Sequence, residues 1–297
     1  MIKAVTLVHK GAMEIAVHSI RSFARYFSST HTLTIHTDPS TDENDHRLLL
    51  EAAGGIEAKI VDSKERGEKV KQLLLSYPNT LALVSMGTFY TKLEVPMFEE
   101  APYFFFDSDI IWLRPVANLM PPKMPNAFST ESWTWYNGIS NAGLWIKAQT
   151  PRRVNSGFHY LGQSFPFKKM EDMLVKGMFD PNHFAATDQE IFAYLYNEME
   201  YYHPEDLKRS RVGSIYQLMD EHCAALHFPG KMWSKHIDQV EQLAIADDRP
   251  ALHIRYEAAV PLTAVELMRM RAQVRMGNST VLAKPLNLIR KILRAYR

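Results

Sequence analysis

The sequence has few of the features that mark secreted or membrane-spanning proteins. Cys223 is its only cysteine, which excludes an intramolecular disulfide and a cysteine-rich zinc site. No stretch approaches the roughly 20 apolar residues that a membrane-spanning helix needs. The opening residues, "MIKAVTLVHKG", hold too short an apolar run for a signal peptide. We therefore expect a protein of the reducing cytoplasm.

The sequence also has no large excess of basic over acidic residues, or of acidic over basic ones. The 297 residues include 34 lysines and arginines against 33 aspartates and glutamates, for a formal net charge of +1. General nucleic-acid binders carry a strong basic face, so we expect no nucleic-acid partner. With 46% of its residues hydrophobic, the chain can bury a large core, and its length fits one α/β domain or two small ones.

The end of the chain departs from this charge balance. From Leu267 onward there are eight lysines or arginines and no acidic residue. Within "KPLNLIRKILRAYR" (284–297), apolar residues recur at helical spacing and basic residues occupy the other side. This pattern is typical of a helix that lies on an anionic membrane surface, which would place the protein peripherally on the inner face of the membrane. A helix packed on the body of the protein with a solvated basic face has the same pattern.

The order of secondary-structure patterns predicts the fold class. Strand patterns alternate with amphipathic helix patterns early in the chain: strands at 2–8, 31–38 and 57–61, and helices at 12–27, 44–53 and 65–77. This alternation predicts an α/β fold with a Rossmann-like, mostly parallel sheet and helices on both faces. Ligands of such sheets bind beyond the carboxyl ends of the strands, where His9 and Asp38 follow two of the strand patterns. Later elements are predicted as strands at 127–131, 142–147 and 156–161 and helices at 166–176 and 187–199.

One stretch, "PYFFFDSDIIWLRP" (102–115), joins a strongly apolar run to two carboxylates. The apolar run predicts a buried strand, and Asp107 and Asp109 follow where that strand leaves the core. In an extended strand, residues i and i+2 project to the same side, so both carboxylates can bind one hard cation such as Mg²⁺ or Mn²⁺. An ordinary strand end with solvated aspartates and an ion pair to Arg114 is an equally open interpretation of these residues alone.

Four further stretches carry a resemblance to a known family. They are "YTKLEVP" (90–96), "NSGF" (155–158), "TDQEIFAYL" (187–195) and "LHFPGKMW" (226–233). Together with "FDSD", and in this order, they resemble the motifs of metal-dependent glycosyltransferases of the A-type fold. The resemblance is greatest to the retaining enzymes of glycosyltransferase family 8, the lipopolysaccharide galactosyltransferase and glycogenin group.

The resemblance implies a fold, an activity and a cofactor. It implies an A-type glycosyltransferase fold. Because no clear linker precedes about residue 258, we expect a nucleotide-sugar-binding catalytic domain over 1–258 and a basic helical tail over 259–297. The implied reaction moves a hexose from a nucleotide sugar, expected to be a UDP-sugar, to a hydroxyl of a glycan or glycolipid acceptor. The implied cofactor is Mn²⁺ or Mg²⁺, and the implied setting is surface glycan or lipopolysaccharide synthesis.

The resemblance also implies roles for individual residues. Asp107, Asp109 and His227 would hold the metal ion. Asp188 and Gln189 would face the donor sugar as the catalytic residues. A larger set would bind the donor, from nucleoside to sugar: His9, Asp38, Lys92, Ser108, Asn155, Gly157, Gly230 and Lys231.

The chain departs from the family pattern near the expected diphosphate. The usual lysine lies two residues further along and is followed by Pro-Trp, whereas this chain reads Gly-Lys-Met-Trp, so Lys231 or Lys235 could meet the diphosphate. Retention of configuration follows from the resemblance alone. An inverting enzyme would need a carboxylate base, for which Asp188 or Glu131 could serve.

Each of these residues also has a plainer structural interpretation. His227 could be a packing histidine, Lys92 a surface lysine on an amphipathic helix, and the 155–157 segment a plain turn. Asp188 could belong to the capped start of a helix behind Thr187. Four aromatic residues could form an acceptor platform or belong to the core: Trp133, Trp135, Tyr136 and Trp145.

Two other function classes stay open at this point. A sugar-nucleotide nucleotidyltransferase would share an α/β sheet and a metal ion, but such enzymes favour a glycine-rich loop after the first strand. Here that loop, "LVHKGAMEIA", contains one glycine. A non-catalytic nucleotide-sugar-binding protein would be favoured by loss of the D-x-D or H-x-x-G pattern, and the sequence has both.

Overall fold

The computed structural model describes residues 1–130, 154–182, 188–203, 206–209, 223–228, 250–261, 263–266 and 268. Within these ranges, none of the helices combines the length and apolar character that crossing a bilayer requires. Several predictions concern residues outside the described ranges and stay predictions. They involve Glu131, the strand at 142–147, the four-residue aromatic cluster, Thr187, Gly230, Lys231, Lys235 and the segment 284–297.

The first part of the chain has the predicted alternation of strands and helices. Its elements are β1 (Ile2–Val8), α1 (Met13–Phe27), β2 (His31–Thr37), α2 (Glu43–Ala53), β3 (Glu57–Val61) and α3 (Ser63–Leu73). β1 pairs with β2, and β2 with β3, both in parallel. Aspartates start both later helices, because Asp42 caps α2 and Asp62 caps α3 by accepting backbone hydrogen bonds.

The middle part of the chain connects this unit to the next strand. It contains α4 (Pro78–Val84), a short 3₁₀ helix (Thr88–Leu93), α5 (Glu94–Phe98), β4 (Tyr103–Phe106) and β5 (Ile110–Trp112). β4 lies beside β1 and is parallel to it. The carboxyl ends of β1, β2 and β4 therefore meet at one edge of the sheet.

The remaining described elements complete two sheets. They are β6 (Asn126–Thr130), β7 (Val154–Leu161), α6 (Phe167–Val175), α7 (Asp188–Leu195), β8 (Met199–Tyr202), β9 (Leu207–Arg209), β10 (Ala225–His227) and β11 (Tyr256–Ala258). The large sheet has the order β11-β8-β6-β7-β4-β1-β2-β3, and the small one β5-β10-β9. In the large sheet four pairings are parallel, whereas β7 runs antiparallel to both β4 and β6 and β11 runs antiparallel to β8. The predicted α/β class with a mostly parallel sheet is confirmed.

The apolar run before the aspartates forms a strand that is buried on both faces. Tyr103 and Phe105 belong to the hydrophobic cluster on one side of the sheet, and Phe104 and Phe106 belong to the cluster on the other. Phe106 stacks on Phe23 of α1, with ring centroids 4.7 Å apart. A strand covered on both faces needs apolar residues at every position, which explains the uninterrupted run.

Candidate functional site

The two aspartates lie in a turn between the two sheets. β4 ends at Phe106, β5 begins at Ile110, and the backbone N–H of Ile110 donates to the Asp107 carbonyl oxygen at 3.1 Å. The expectation that both aspartates share one extended strand is therefore wrong. The turn nevertheless keeps both carboxylates at the carboxyl edge of the parallel strands, where the chain leaves the large sheet for the small one.

His227 is brought to the aspartates by the small sheet. It ends β10, which runs antiparallel to β5, and it pairs with Ile110. The backbone N–H of Phe228 donates to the Asp109 carbonyl oxygen at 3.0 Å, which fixes the strand end beside the turn. As a result, His227 Nε2 lies 3.2 Å from Asp109 Oδ1 and 3.8 Å from Asp107 Oδ2.

These three side chains fit a divalent cation. One ligand atom from each of Asp107, Asp109 and His227 lies within 4.8 Å of the other two. Asp109 Oδ1 is buried and has no hydrogen-bond partner, so a bound cation would satisfy an atom that is otherwise costly to bury. Two carboxylates and an imidazole are ligands that suit Mn²⁺, and the carboxylates alone suit Mg²⁺.

Gly157 makes the close packing of this group possible. Its carbonyl oxygen accepts a 2.6 Å hydrogen bond from the Asp107 backbone N–H across the β4–β7 pairing. A Cβ atom at this position would overlap Asp107 Oδ2 and would lie 2.9 Å from His227 Cε1. It would also lie 2.8 Å from Asn155 Oδ1, which accepts a 2.7 Å hydrogen bond from the Gly157 N–H. The N-x-G segment therefore packs directly against the candidate metal ligands.

Lys92 and Asp188 join the site from two helices. Lys92, in the 3₁₀ helix, places Nζ 2.6 Å from Asp107 Oδ1 and donates to Ser156 Oγ at 3.3 Å. Asp188 is the first residue of α7 and is buried, and Ser156 Oγ donates to its Oδ2 at 2.6 Å. The ammonium of Lys92 is thus linked to one carboxylate directly and to a second through a hydroxyl.

Burial and charge compete in setting the ionisation of these groups. Burial alone would raise the pKa of Asp107, but Lys92 and His227 hold that pKa below its ordinary value. Burial would lower the pKa of Lys92, but Asp107 and Asp188 outweigh it and raise the pKa. For Asp188, burial dominates and raises the pKa, although Lys92 and the Ser156 hydrogen bond oppose the rise. Within the described residues, the three carboxylates of Asp107, Asp109 and Asp188 outnumber the Lys92 ammonium and the His227 imidazole, so a divalent cation would neutralise negative charge at this site.

The other predicted donor residues lie at or near the same edge of the sheet. The Asp38 N–H donates to the Val8 carbonyl oxygen at 3.0 Å, so the ends of β1 and β2, with His9 and Asp38, are adjacent. Asp38 Oδ1 accepts a hydrogen bond from the Ser40 N–H at 2.9 Å. In the described part of the chain, no hydrogen bond or ion pair joins His9 or Asp38 to the aspartate turn.

Two further predicted residues take positions next to the group. Ser108 is buried in the turn between the aspartates, and Gln189 follows Asp188 in the first turn of α7, where it is half-buried. The alternative ion pair to Arg114 is not formed within the described residues. Arg114 is buried with its Nε unpartnered, and the cation on Asp107 is Lys92.

Ser156 is a site residue that the sequence analysis missed. It lies inside the quoted "NSGF" segment, but only its two neighbours were assigned roles. The available signal was its position between them, near the start of β7. Its partners, Lys92 and Asp188, come from distant parts of the chain and could not be inferred from spacing.

Comparison with known proteins identifies the fold. No family model and no curated protein matches the sequence. Among solved structures, mouse xyloside xylosyltransferase 1 in its apo form is similar, with a TM-score of 0.51 at 13% identity over 78% of this chain and 98% of that one. The chain has the A-type glycosyltransferase fold. The galactosyltransferase LgtC, solved with donor and acceptor sugar analogues, shares it with a TM-score of 0.50 at 11% identity over 84% of this chain and 98% of that one. The predicted A-type fold is confirmed.

Replacing His227 by alanine is expected to weaken Mn²⁺ binding about 10- to 100-fold without abolishing it. A water molecule can occupy the vacated position while both carboxylates remain. Calorimetric titration of the metal-free protein with Mn²⁺ measures the change. His253→Ala, which removes an exposed histidine outside the group, is the matched control and should titrate like the parent. If the His227→Ala titration overlays that of the parent, His227 is a packing residue.

Proposed function

We propose that this protein is a metal-dependent hexosyltransferase that moves a hexose from a nucleotide sugar to an acceptor hydroxyl. The observation that carries the proposal is the convergence of Asp107, Asp109 and His227 at the carboxyl edge of an A-type fold, with the buried Asp188 linked to the same group. The residual negative charge of this group favours a divalent cation, and a cation bound there favours a diphosphate.

The chemical difficulty of the reaction is the departure of a diphosphate from the anomeric carbon. Mn²⁺ or Mg²⁺, held by Asp107, Asp109 and His227, would stabilise the negative charge on the departing diphosphate. Gly230 and Lys231 are proposed to contact the same diphosphate. His9 and Asp38 form the adjacent strand ends, where we place the nucleoside, which we take to be uridine.

Asp188 and Gln189 are proposed to act on the donor sugar. Asp188 is held by Ser156 and would accept hydrogen bonds from sugar hydroxyls, and Gln189, the next residue of α7, would lie near the reacting carbon. Asn155 and Ser108 would complete the donor site. We propose retention of configuration, with the acceptor proton passing to the departing phosphate, so that no strong protein base is required. Proton NMR of the first-formed product distinguishes this outcome from inversion.

The proposal includes an acceptor and a cellular setting. A glycan or glycolipid of the cell surface, such as a lipopolysaccharide intermediate, is the proposed acceptor. The catalytic domain would span 1–258. The tail over 259–297 would bring it to anionic lipid, because its basic amphipathic segment has the pattern of a surface-bound helix.

The decisive assay measures diphosphate release from a panel of UDP- and GDP-hexoses with Mn²⁺, with Mg²⁺ or with EDTA. We expect release from at least one UDP-hexose in Mn²⁺, a loss of at least about 100-fold in EDTA, and recovery when Mn²⁺ is restored. Two outcomes would contradict the proposal. Nucleotide-sugar formation from a nucleoside triphosphate and a sugar phosphate would identify a nucleotidyltransferase. Tight UDP-sugar binding without release under any condition would identify a binding protein.

A further inference from the structure

The middle residue of the N-x-G segment occupies a defined place between two charged groups. Ser156 is buried on β7, and its hydroxyl lies 2.6 Å from Asp188 Oδ2 and 3.3 Å from Lys92 Nζ. A lysine ammonium can only donate and an ionised carboxylate can only accept. The single hydroxyl proton of Ser156 must therefore go to Asp188, while its oxygen accepts from Lys92. The three groups therefore form a chain of hydrogen bonds in which Lys92 donates to Ser156 and Ser156 donates to Asp188.

The backbone of Ser156 is held in place by a buried histidine. His159, three residues further along β7, donates through Nδ1 to the Ser156 carbonyl oxygen at 2.9 Å. Because a carbonyl oxygen only accepts, His159 Nδ1 carries the proton. The imidazole is stacked between Phe105 and Phe128, with ring centroids 4.7 Å and 5.2 Å away. Burial lowers the pKa of His159 to about 3, so this ring stays neutral and fixed at physiological pH.

Lys92 connects this chain of hydrogen bonds to the candidate metal-binding group. Of its three N–H donors, one is directed to Asp107 at 2.6 Å and another to Ser156. The same ammonium lies 5.1 Å from the centroid of the Phe105 ring, over the buried strand β4. Lys92 is thus largely committed to groups of the protein, and it connects the candidate metal-binding carboxylate with the buried Asp188.

We propose that Ser156 is a positioning residue. Its hydroxyl accepts a hydrogen bond from Lys92 and donates one to Asp188, which fixes the orientation of the Asp188 carboxylate before a donor sugar binds. The inference deepens the proposed function and rests on it for the identity of the ligand. Without the hydroxyl, Asp188 would stay buried but would lose the hydrogen bond that orients one of its oxygens. The carboxylate would then sample orientations that do not fit the sugar hydroxyls.

The kinetic test compares Ser156→Ala with the parent, using the UDP-hexose on which the parent turns over. We expect kcat to fall about 10- to 100-fold, the range for a hydrogen bond to a charged group, while KM for the donor changes less than about threefold. KM is expected to change little because the nucleotide and the metal would supply most of the donor affinity.

A matched control separates positioning from general loss of stability. Thr80 on α4 also donates from a buried hydroxyl to a carboxylate, Glu171 Oε2 on α6, at 2.8 Å. Thr80→Val removes that hydroxyl at nearly constant shape and should lower the melting temperature about as much as Ser156→Ala does, with kcat unchanged. Equal kcat losses in the two variants would reduce Ser156 to a structural residue and overturn the proposal.

A second measurement does not depend on turnover. In metal-free protein labelled with ¹³C at the aspartate carboxyl, the Asp188 resonance is assigned by its absence in Asp188→Asn. The Ser156 hydrogen bond stabilises the ionised form, so its removal should raise the pKa of Asp188 by about one unit or more. An unchanged Asp188 pKa in Ser156→Ala overturns the proposal, whatever the kinetics show. A parent that turns over no donor would instead refute the proposed function, and this titration would still decide the role of Ser156.

Discussion

Asp107→Asn and Asp109→Asn are each expected to lower metal-dependent turnover by about 1,000-fold or more while the fold is retained. Each change removes one negative charge at nearly constant shape from a group whose ligand atoms lie within 4.8 Å of one another. Loss of a metal ligand removes several kcal/mol of charge stabilisation from the departing diphosphate, and each 1.36 kcal/mol is a factor of ten in rate. Mn²⁺ titration of the metal-free variants and diphosphate release at saturating donor are the measurements.

The two variants should differ in the stability of the metal-free protein. Asp107 is the direct partner of Lys92, so Asp107→Asn leaves a largely buried ammonium without its closest counter-charge. Asp109 Oδ1 lies 3.2 Å from His227 Nε2 but accepts no hydrogen bond, so Asp109→Asn leaves no buried ammonium without its closest counter-charge. We therefore expect a lower melting temperature for Asp107→Asn than for Asp109→Asn.

Asp62→Asn is the matched control for both aspartate variants. Asp62 caps α3 through backbone N–H groups, and asparagine caps a helix about as well as aspartate. This variant should keep the turnover and the Mn²⁺ affinity of the parent. Unimpaired turnover in both Asp107→Asn and Asp109→Asn at limiting Mn²⁺ would refute the metal site.

The fold could be predicted from the sequence wherever the information was local. The alternation from β1 to α3 was predicted within a few residues at each end, because the residue pattern of each element is local to that element. The uninterrupted apolar run of β4 correctly predicted a buried strand, and the structure shows that both faces of this strand are covered. The direction of β7 could not be predicted, because a strand has the same residue pattern whether it runs parallel or antiparallel to its neighbour.

The candidate site shows the same division between local and long-range information. The D-x-D spacing marked Asp107 and Asp109 correctly as neighbours, but the strand geometry assumed for them was wrong because the backbone turns after Phe106. The contacts of Lys92 with Asp107 and Ser156 depend on how the 3₁₀ helix packs over β4 and β7. Such contacts are set by tertiary packing, so spacing along the sequence carries no sign of them.

Gly157→Ala is expected to weaken Mn²⁺ binding about 100-fold and to lower turnover at least as much. The added methyl group would overlap Asp107 Oδ2 and approach His227 Cε1 to 2.9 Å, so the site can admit it only by displacing two candidate metal ligands. Backbone strain does not contribute, because Gly157 lies in β7 and does not have a positive φ. The loss should therefore appear in metal affinity far more than in folding.

Gly67→Ala provides the comparison, because a Cβ atom at Gly67 in α3 would meet no atom within 4 Å. That variant should gain about 0.5–1 kcal/mol of stability, as alanine replaces glycine in a helix, and should bind Mn²⁺ like the parent. The pair of variants also separates two roles for Gly157. If the glycine makes room for the donor sugar instead of for the Asp107 carboxylate, Gly157→Ala will keep the parent's Mn²⁺ affinity and lose affinity only for the nucleotide sugar.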